Sequence, residues 1–138
     1  MTDGLAVPRA IVWDWDGTLA DGWPAIQAGL NAAFTDFALP PWTLEEVRSN
    51  VRRSLRDSFP EIFGPDWERA RDIFYREVRA RHLKVLRAVP GAGAMLREAA
   101  LGGPMAVVSN KQGPLLRAES DALGWTPLFR ALVGAGDA

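Results

Sequence analysis

The sequence predicts an α/β fold: a parallel-sheet core interrupted by an all-helical insertion. Three observations carry that expectation. The run at 10–15 reads as continuous rather than alternating, the pattern of a strand buried on both faces of a parallel sheet, and "PMAVVSN" follows as a second buried strand. Residues from Trp23 to Val89 keep helical periodicity without a break. After Val89, Pro90 and Gly91 restart an alternation of helix and strand. The expected division is an α/β core formed by 1–21 and 89–138, and a helical unit formed by 22–88.

The elements follow in order. "MTDGLAVPR" is a polar lead-in, and residues 10–15 form the first strand. Ile26, Leu30, Ala33, Phe34 and Phe37 share one face of a first helix, which Pro40 and Pro41 cannot continue. Thr43 and Glu46 have capping-box spacing, opening a second helix striped by Leu44, Val47, Val51 and Leu55 and closed by Phe59 and Pro60. Asp66 is placed to cap a long third helix with Trp67, Ala70, Phe74 and Val78 on its buried face. Met95, Leu96 and Ala99 line a short helix stopped by Gly102 and Gly103. "PMAVVSN" is the second strand. Leu115, Leu116 and Leu123 anchor a helix ended by Gly124, and "ALVGAGDA" is a third strand with a glycine-rich exit.

Composition narrows the function. A chain of 138 residues with 48% hydrophobic and 24% charged content can bury a real core. Sixteen basic residues nearly cancel seventeen acidic ones, so no net field gathers nucleic acid or an anionic membrane surface. Zero cysteines exclude disulfides, thiolate metal sites and a cysteine nucleophile. With no leader or long apolar span in view, the expected compartment is the cytoplasm.

The chemistry concentrates in "IVWDWDGTLADG", where an apolar strand runs into two like charges. Functional groups of open α/β sheets collect at the carboxyl ends of strands, and Asp14, Asp16, Ser109 and Asn110 all fall there. Residues two apart on a strand face the same way, so Asp14 and Asp16 begin on one side before Gly17 turns the chain. Two close carboxylates need a cation or a shared proton. The bland alternative is a pair of solvated loop aspartates. The following Gly-Thr-Leu, and the serine ending the second strand, argue against it.

"DWDGTLAD" resembles the first motif of the haloacid dehalogenase superfamily, and "MAVVSNK" resembles its second, a hydrophobic strand ending in Ser or Thr. The helical block lies where that superfamily carries an α-helical type 1 cap, and "VPG" and "SNK" are most similar to the phosphoglycolate phosphatase-like branch. The resemblance implies a Rossmann-like core plus cap and an Mg²⁺-dependent phosphatase acting on a small phosphorylated metabolite. In that scheme Asp14 is the nucleophile, and Asp16 is the general acid and then base. Mg²⁺ is held by the Asp14 carboxylate and the Asp16 main-chain carbonyl. Ser109, Asn110 and the backbone N–H groups around Gly17 and Thr18 bind the phosphoryl group. Dehalogenating members lack the second aspartate, so Asp16 favours phosphate chemistry.

The departures are as informative. The superfamily's third-motif lysine and fourth-motif acids are not recognisable; Lys84 and Lys111 stand away from the third-motif position. "LVGAGDA" has a superficial likeness to the fourth motif and reads better as the family's third strand. The chain is thus expected to be incomplete at its C-terminal side. The first strand, central in the family, would become an edge and promote self-association. A catalytically inactive interaction module and a sugar-phosphate mutase are the alternatives. Arg48, Arg52, Arg53 and Arg56 form a basic run, read as a solvated helix face against a substrate-gripping one. Trp23 is a packing residue or a lining of the substrate opening. His82 reads as a surface or packed histidine, and Gly22 replaces the serine often found after the acidic position at Asp21.

Overall fold

The computed structural model describes residues 10–51 and 55–137, without the side chains of Leu55 and Arg56. Eleven regular elements follow in chain order: β1 (Ile11–Trp13), β2 (Ala20–Asp21), α1 (Trp23–Asp36), α2 (Leu44–Asn50), α3 (Leu55–Phe63), α4 (Trp67–Val85), β3 (Arg87–Ala88), α5 (Ala92–Ala100), β4 (Met105–Gln112), α6 (Gly113–Leu123) and β5 (Ala131–Ala135). The chain divides into two compact units, Met1–Ala20 with Ala88–Ala138, and Asp21–Arg87.

The first unit is built on a parallel sheet of order β1-β4-β5. Ile11, Val12 and Trp13 pair with Met105, Ala106 and Val107, and Ala106, Val107 and Val108 pair with Ala131, Leu132 and Val133. The register puts Met105 and Val107 on one face, where both are buried; α6, which packs on β4 and β5, buries its own Leu115 and Leu116. Val12, Val108 and Val133 share the opposite face and are exposed, Val12 to 63% and Val108 to 54%. β1 is therefore shorter than 10–15 and is not buried on both faces. Among the described residues it hydrogen-bonds to β4 alone, which makes it an edge. The chain leaves this unit after Ala20 and returns at Ala88; just inside those points the Val89 N–H donates to the Leu19 carbonyl at 2.9 Å.

Among the described residues, the second unit is built on α1, α2, α3 and α4. α1 carries Ala25, Ile26, Gly29, Leu30, Ala33 and Phe34 on its buried side. It packs chiefly against α4, which buries Ala70, Phe74, Val78 and His82. Gly29 lets these helices meet closely: a Cβ there would lie 2.7 Å from Phe74 Cδ2 and 2.8 Å from Val78 Cγ2. Phe34 stacks on Phe63 at 5.3 Å between centroids, and Phe59 contacts both Phe63 and Phe74. The Thr43–Glu46 capping box forms, with the Thr43 side chain accepting from the Glu46 N–H and the Glu46 side chain from the Thr43 N–H.

Several local expectations are corrected. Pro60 lies inside α3 rather than ending the segment; it is exposed, while Phe59 and Phe63 hold that helix in the aromatic cluster, so packing outweighs the proline signal. The stripe of the second helix is divided, since α2 ends at Asn50 and α3 begins at Leu55. Asp66 occupies the N-cap of α4 but its side chain makes no capping bond. Met95 is exposed on α5, where Leu96 supplies the buried contact. Arg52 and Arg53 lie outside the described residues, as does the side chain of Arg56; Arg48 is exposed.

Candidate active site

The site is assembled within the α/β unit at the carboxyl ends of β1 and β4. β1 stops at Trp13, and the next residues wrap around the carbonyl of Trp15, which accepts N–H groups of Thr18, Leu19 and Ala20 at 3.1, 3.0 and 3.2 Å. Gly17 makes this possible: at φ +81° it takes a conformation that a side chain would strain. Its N–H donates to Ala20 O at 2.8 Å, and the Trp15 N–H donates to Asp14 Oδ1 at 2.8 Å. The N–H groups of Trp15, Gly17 and Thr18 thus close the turn on itself in this structure. Asp14 stands exposed and Asp16 half-buried.

The second strand brings Ser109, Asn110 and Lys111 to the same end of the sheet. Between Val108 and Gln112 the β4–β5 register shifts, so that Ser109, Asn110 and Lys111 fall in an irregular stretch of the ladder. Ser109 Oγ accepts from the Lys111 N–H at 3.1 Å; Ser109 is half-buried and Asn110 exposed. The Lys111 side chain reaches Asp16, with Nζ 3.0 Å from Oδ1, and Glu119, with Nζ 3.3 Å from Oε2. The other oxygen of Glu119 accepts from Trp15 Nε1 at 3.0 Å. Trp15 also packs edge-on against Trp125, with ring centroids 5.8 Å apart.

Burial and charge oppose each other here. Burial pushes the Asp16 carboxyl above its ordinary value, against the Lys111 ammonium and with the help of the Glu119 charge. Burial disfavours the Lys111 ammonium too, but the Asp16 and Glu119 carboxylates outweigh it and lift Lys111 above its usual range. Lys111 therefore stays charged.

Sequence spacing brings out Asp14, Asp16, Ser109 and Asn110, sets Lys111 aside as standing away from the third-motif position, and does not single out Glu119. Lys111 had no local signal, since its partner Asp16 lies 95 residues away in sequence. Glu119 did have one. It stands three and four residues beyond Leu116 and Leu115, a charged residue at a core position of a helical stripe, and it is fully buried. Among the described residues, no three acids or histidines converge as a metal-ligand set.

A family model described as haloacid dehalogenase-like hydrolase matches residues 11–138. The chain belongs to this family. A phosphoglycolate phosphatase of Chromobacterium violaceum is 33% identical over 91% of this chain and 61% of its own length. Among solved structures, a haloacid dehalogenase-like hydrolase from Streptococcus pneumoniae superposes with a TM-score of 0.84 at 21% identity, covering 93% of this chain and 61% of that one. Protein tyrosine kinase A of Mycobacterium tuberculosis gives 0.85 at 22% identity, covering 96% and 62%. These two likenesses establish the haloacid dehalogenase-like fold, an α/β core with a helical cap, and not an activity. The chain spans about three fifths of the length of the curated relatives it matches, 61% of the first two. The stretch that resembles the first motif lies on β1 and the turn after it, and the stretch that resembles the second lies on β4.

Proposed function

We propose that the protein is a Mg²⁺-dependent phosphomonoester hydrolase acting on a small phosphorylated metabolite of the phosphoglycolate kind. The observation that carries this reading is the pair Asp14 and Asp16. The first is solvent-facing on the turn after β1, and the second is half-buried against a charged lysine. The similarity to phosphoglycolate phosphatases supports the substrate class.

In this reading an Asp14 carboxylate oxygen attacks phosphorus while the ester P–O bond breaks, and the departing alkoxide takes a proton from Asp16. Asp16 then accepts a proton from water as the water oxygen attacks phosphorus; the Asp14–phosphorus bond breaks, releasing inorganic phosphate. A carboxyl raised by burial suits a group that must carry a proton to the leaving oxygen. The Ser109 hydroxyl and Asn110 amide would hydrogen-bond phosphoryl oxygens, with Gly17 and Thr18 shaping the turn beneath them. The donors present, an exposed Asp14 carboxylate and the Asp16 main-chain carbonyl, are hard oxygens suited to Mg²⁺, an ion that keeps several waters. Mg²⁺ held there would offset the repulsion between carboxylate and phosphate dianion.

No helix among the described residues is long and apolar enough to cross a membrane. The near-neutral charge provides no field for nucleic acid or lipid, and the cytoplasm is the compartment we assign. The test is p-nitrophenyl phosphate turnover with Mg²⁺, set against Asp14→Asn. Turnover by the wild type and a loss of about a hundredfold or more in the variant are expected. Equal turnover removes Asp14 as nucleophile, and a wild type without turnover makes this chain an inactive module.

A further inference from the structure

Four residues of the α/β unit form a closed ring. Asp16 Oδ1 meets Lys111 Nζ at 3.0 Å, Lys111 Nζ meets Glu119 Oε2 at 3.3 Å, and Glu119 Oε1 meets Trp15 Nε1 at 3.0 Å. The peptide bond from Trp15 to Asp16 closes it. Each member constrains the next. Trp15 and Glu119 are fully buried and the Lys111 side chain is 5% exposed, while Asp16 keeps 18% of its side chain in contact with solvent. The part of the ring that a substrate could reach is therefore Asp16. An ammonium so covered is badly placed to grip a phosphate itself.

We propose that Lys111 is the positioning residue of Asp16: its ammonium pins the carboxylate in one rotamer, and Glu119, anchored by Trp15, pins the ammonium. The inference rests on the reading of Asp16 as the proton-transfer group. A carboxylate that serves first the leaving oxygen and then the water has to be held at one place, and a displacement of about 1 Å costs about a hundredfold in rate. Asp14 stands two residues away with the same charge, and an unpaired Asp16 would swing from it. Lys111 lies in the stretch where the β4–β5 register shifts, and the same residue's N–H fixes the Ser109 hydroxyl oxygen at 3.1 Å. One residue thus sets two groups of the candidate site. A buried pair of this kind is a registry device more than a source of stability.

The test compares wild type with Lys111→Met, Lys111→Arg and Glu119→Gln, with two readouts. Three-bond couplings from Cγ to N and to the carbonyl carbon report the Asp16 χ1 rotamer in each protein without any turnover. One rotamer is expected in the wild type, averaging in Lys111→Met, and intermediate behaviour in Glu119→Gln, which keeps an acceptor for Trp15 but loses the charge that holds the ammonium. If Lys111→Met fails to fold, Glu119→Gln decides. An Asp16 rotamer as fixed in the variants as in the wild type overturns the proposal. The second readout is p-nitrophenyl phosphate kinetics with Mg²⁺. Lys111→Met should lower kcat tenfold to a hundredfold, to about the cost of a misplaced group, with KM within about twofold, and Lys111→Arg should regain part of it. A raised KM at unchanged kcat would put Lys111 on the substrate and overturn the positioning role. A wild type with no turnover would sink the phosphatase reading alone, and the coupling constants would then decide the fate of Lys111.

Discussion

Glu119 is a sharp test of how the α/β unit is held together. It is fully buried, and its two oxygens take one N–H from Trp15 at 3.0 Å and the Lys111 ammonium at 3.3 Å. Replacing it by leucine keeps most of the volume, so the cost comes from the donors left behind. A buried indole N–H without a partner costs about 1–3 kcal/mol. Breaking a buried ion pair by removing one partner costs about 3–5 kcal/mol, and the lower end applies here because Asp16 remains beside Lys111. The two terms share the same carboxylate and do not simply add. A loss of about 3–5 kcal/mol is expected for Glu119→Leu, a large part of the 5–15 kcal/mol that holds a domain of ordinary size. Urea unfolding followed by far-UV circular dichroism measures it as a lower midpoint at an unchanged slope. Glu119→Gln, which retains an acceptor for Trp15 Nε1, should recover part of the loss. A Glu119→Leu protein within about 1 kcal/mol of wild type would refute the view that this carboxylate is a required counter-charge.

Further outcomes are expected elsewhere in the chain. Gly29→Val drives methyl groups into the buried Phe74 and Val78, at a Cβ position already 2.7 Å from Phe74 Cδ2; a loss of about 2–3 kcal/mol is expected, and a raised melting temperature would contradict it. The Asp137 carboxyl lies below its ordinary value because Arg117 donates to it at 2.8 Å and the Gly134 N–H at 2.7 Å. Its contribution is therefore present above the usual aspartate range and lost as pH falls through the lowered value. The difference in melting temperature between wild type and Asp137→Asn should accordingly vanish in acid; a difference that grows there would be wrong in sign. Val12, Val108 and Val133 line an exposed face across all three strands, and among the described residues β1 is an edge, so sedimentation of this 138-residue chain should show concentration-dependent association that Val12→Lys reduces. A monodisperse wild-type monomer would count against it.

What could be read in advance was whatever is written locally. The Thr43–Glu46 box needs only three residues of spacing, and it forms. The order of strands and helices came from apolar periodicity, and Gly124 takes the left-handed cap conformation expected after α6. Asp14 and Asp16 were visible because a strand-to-turn motif is contiguous in sequence. The limits lie where distant residues decide. Pro60 stays helical because Phe59 and Phe63 are bound into an aromatic cluster drawn from α1 and α4. Lys111 lies in an irregular stretch of β4 and pairs with a partner 95 residues away, neither of which leaves a periodic trace. The exposure of Val12 depends on what covers that face of the sheet, where Val108 of the central strand is exposed too, and a continuous apolar run cannot report it.

The hydrogen bond from the Val89 N–H to the Leu19 carbonyl has a consequence for how such a chain can change over time. At the point where the helical unit leaves the α/β unit, the departing and returning stretches of backbone are already fastened to each other. Topologically, the whole helical unit is one long loop closed at its base, and closure entropy grows only slowly with loop length. It can be lengthened, shortened or exchanged for another cassette without asking Asp14, Asp16, Ser109 or Lys111 to move.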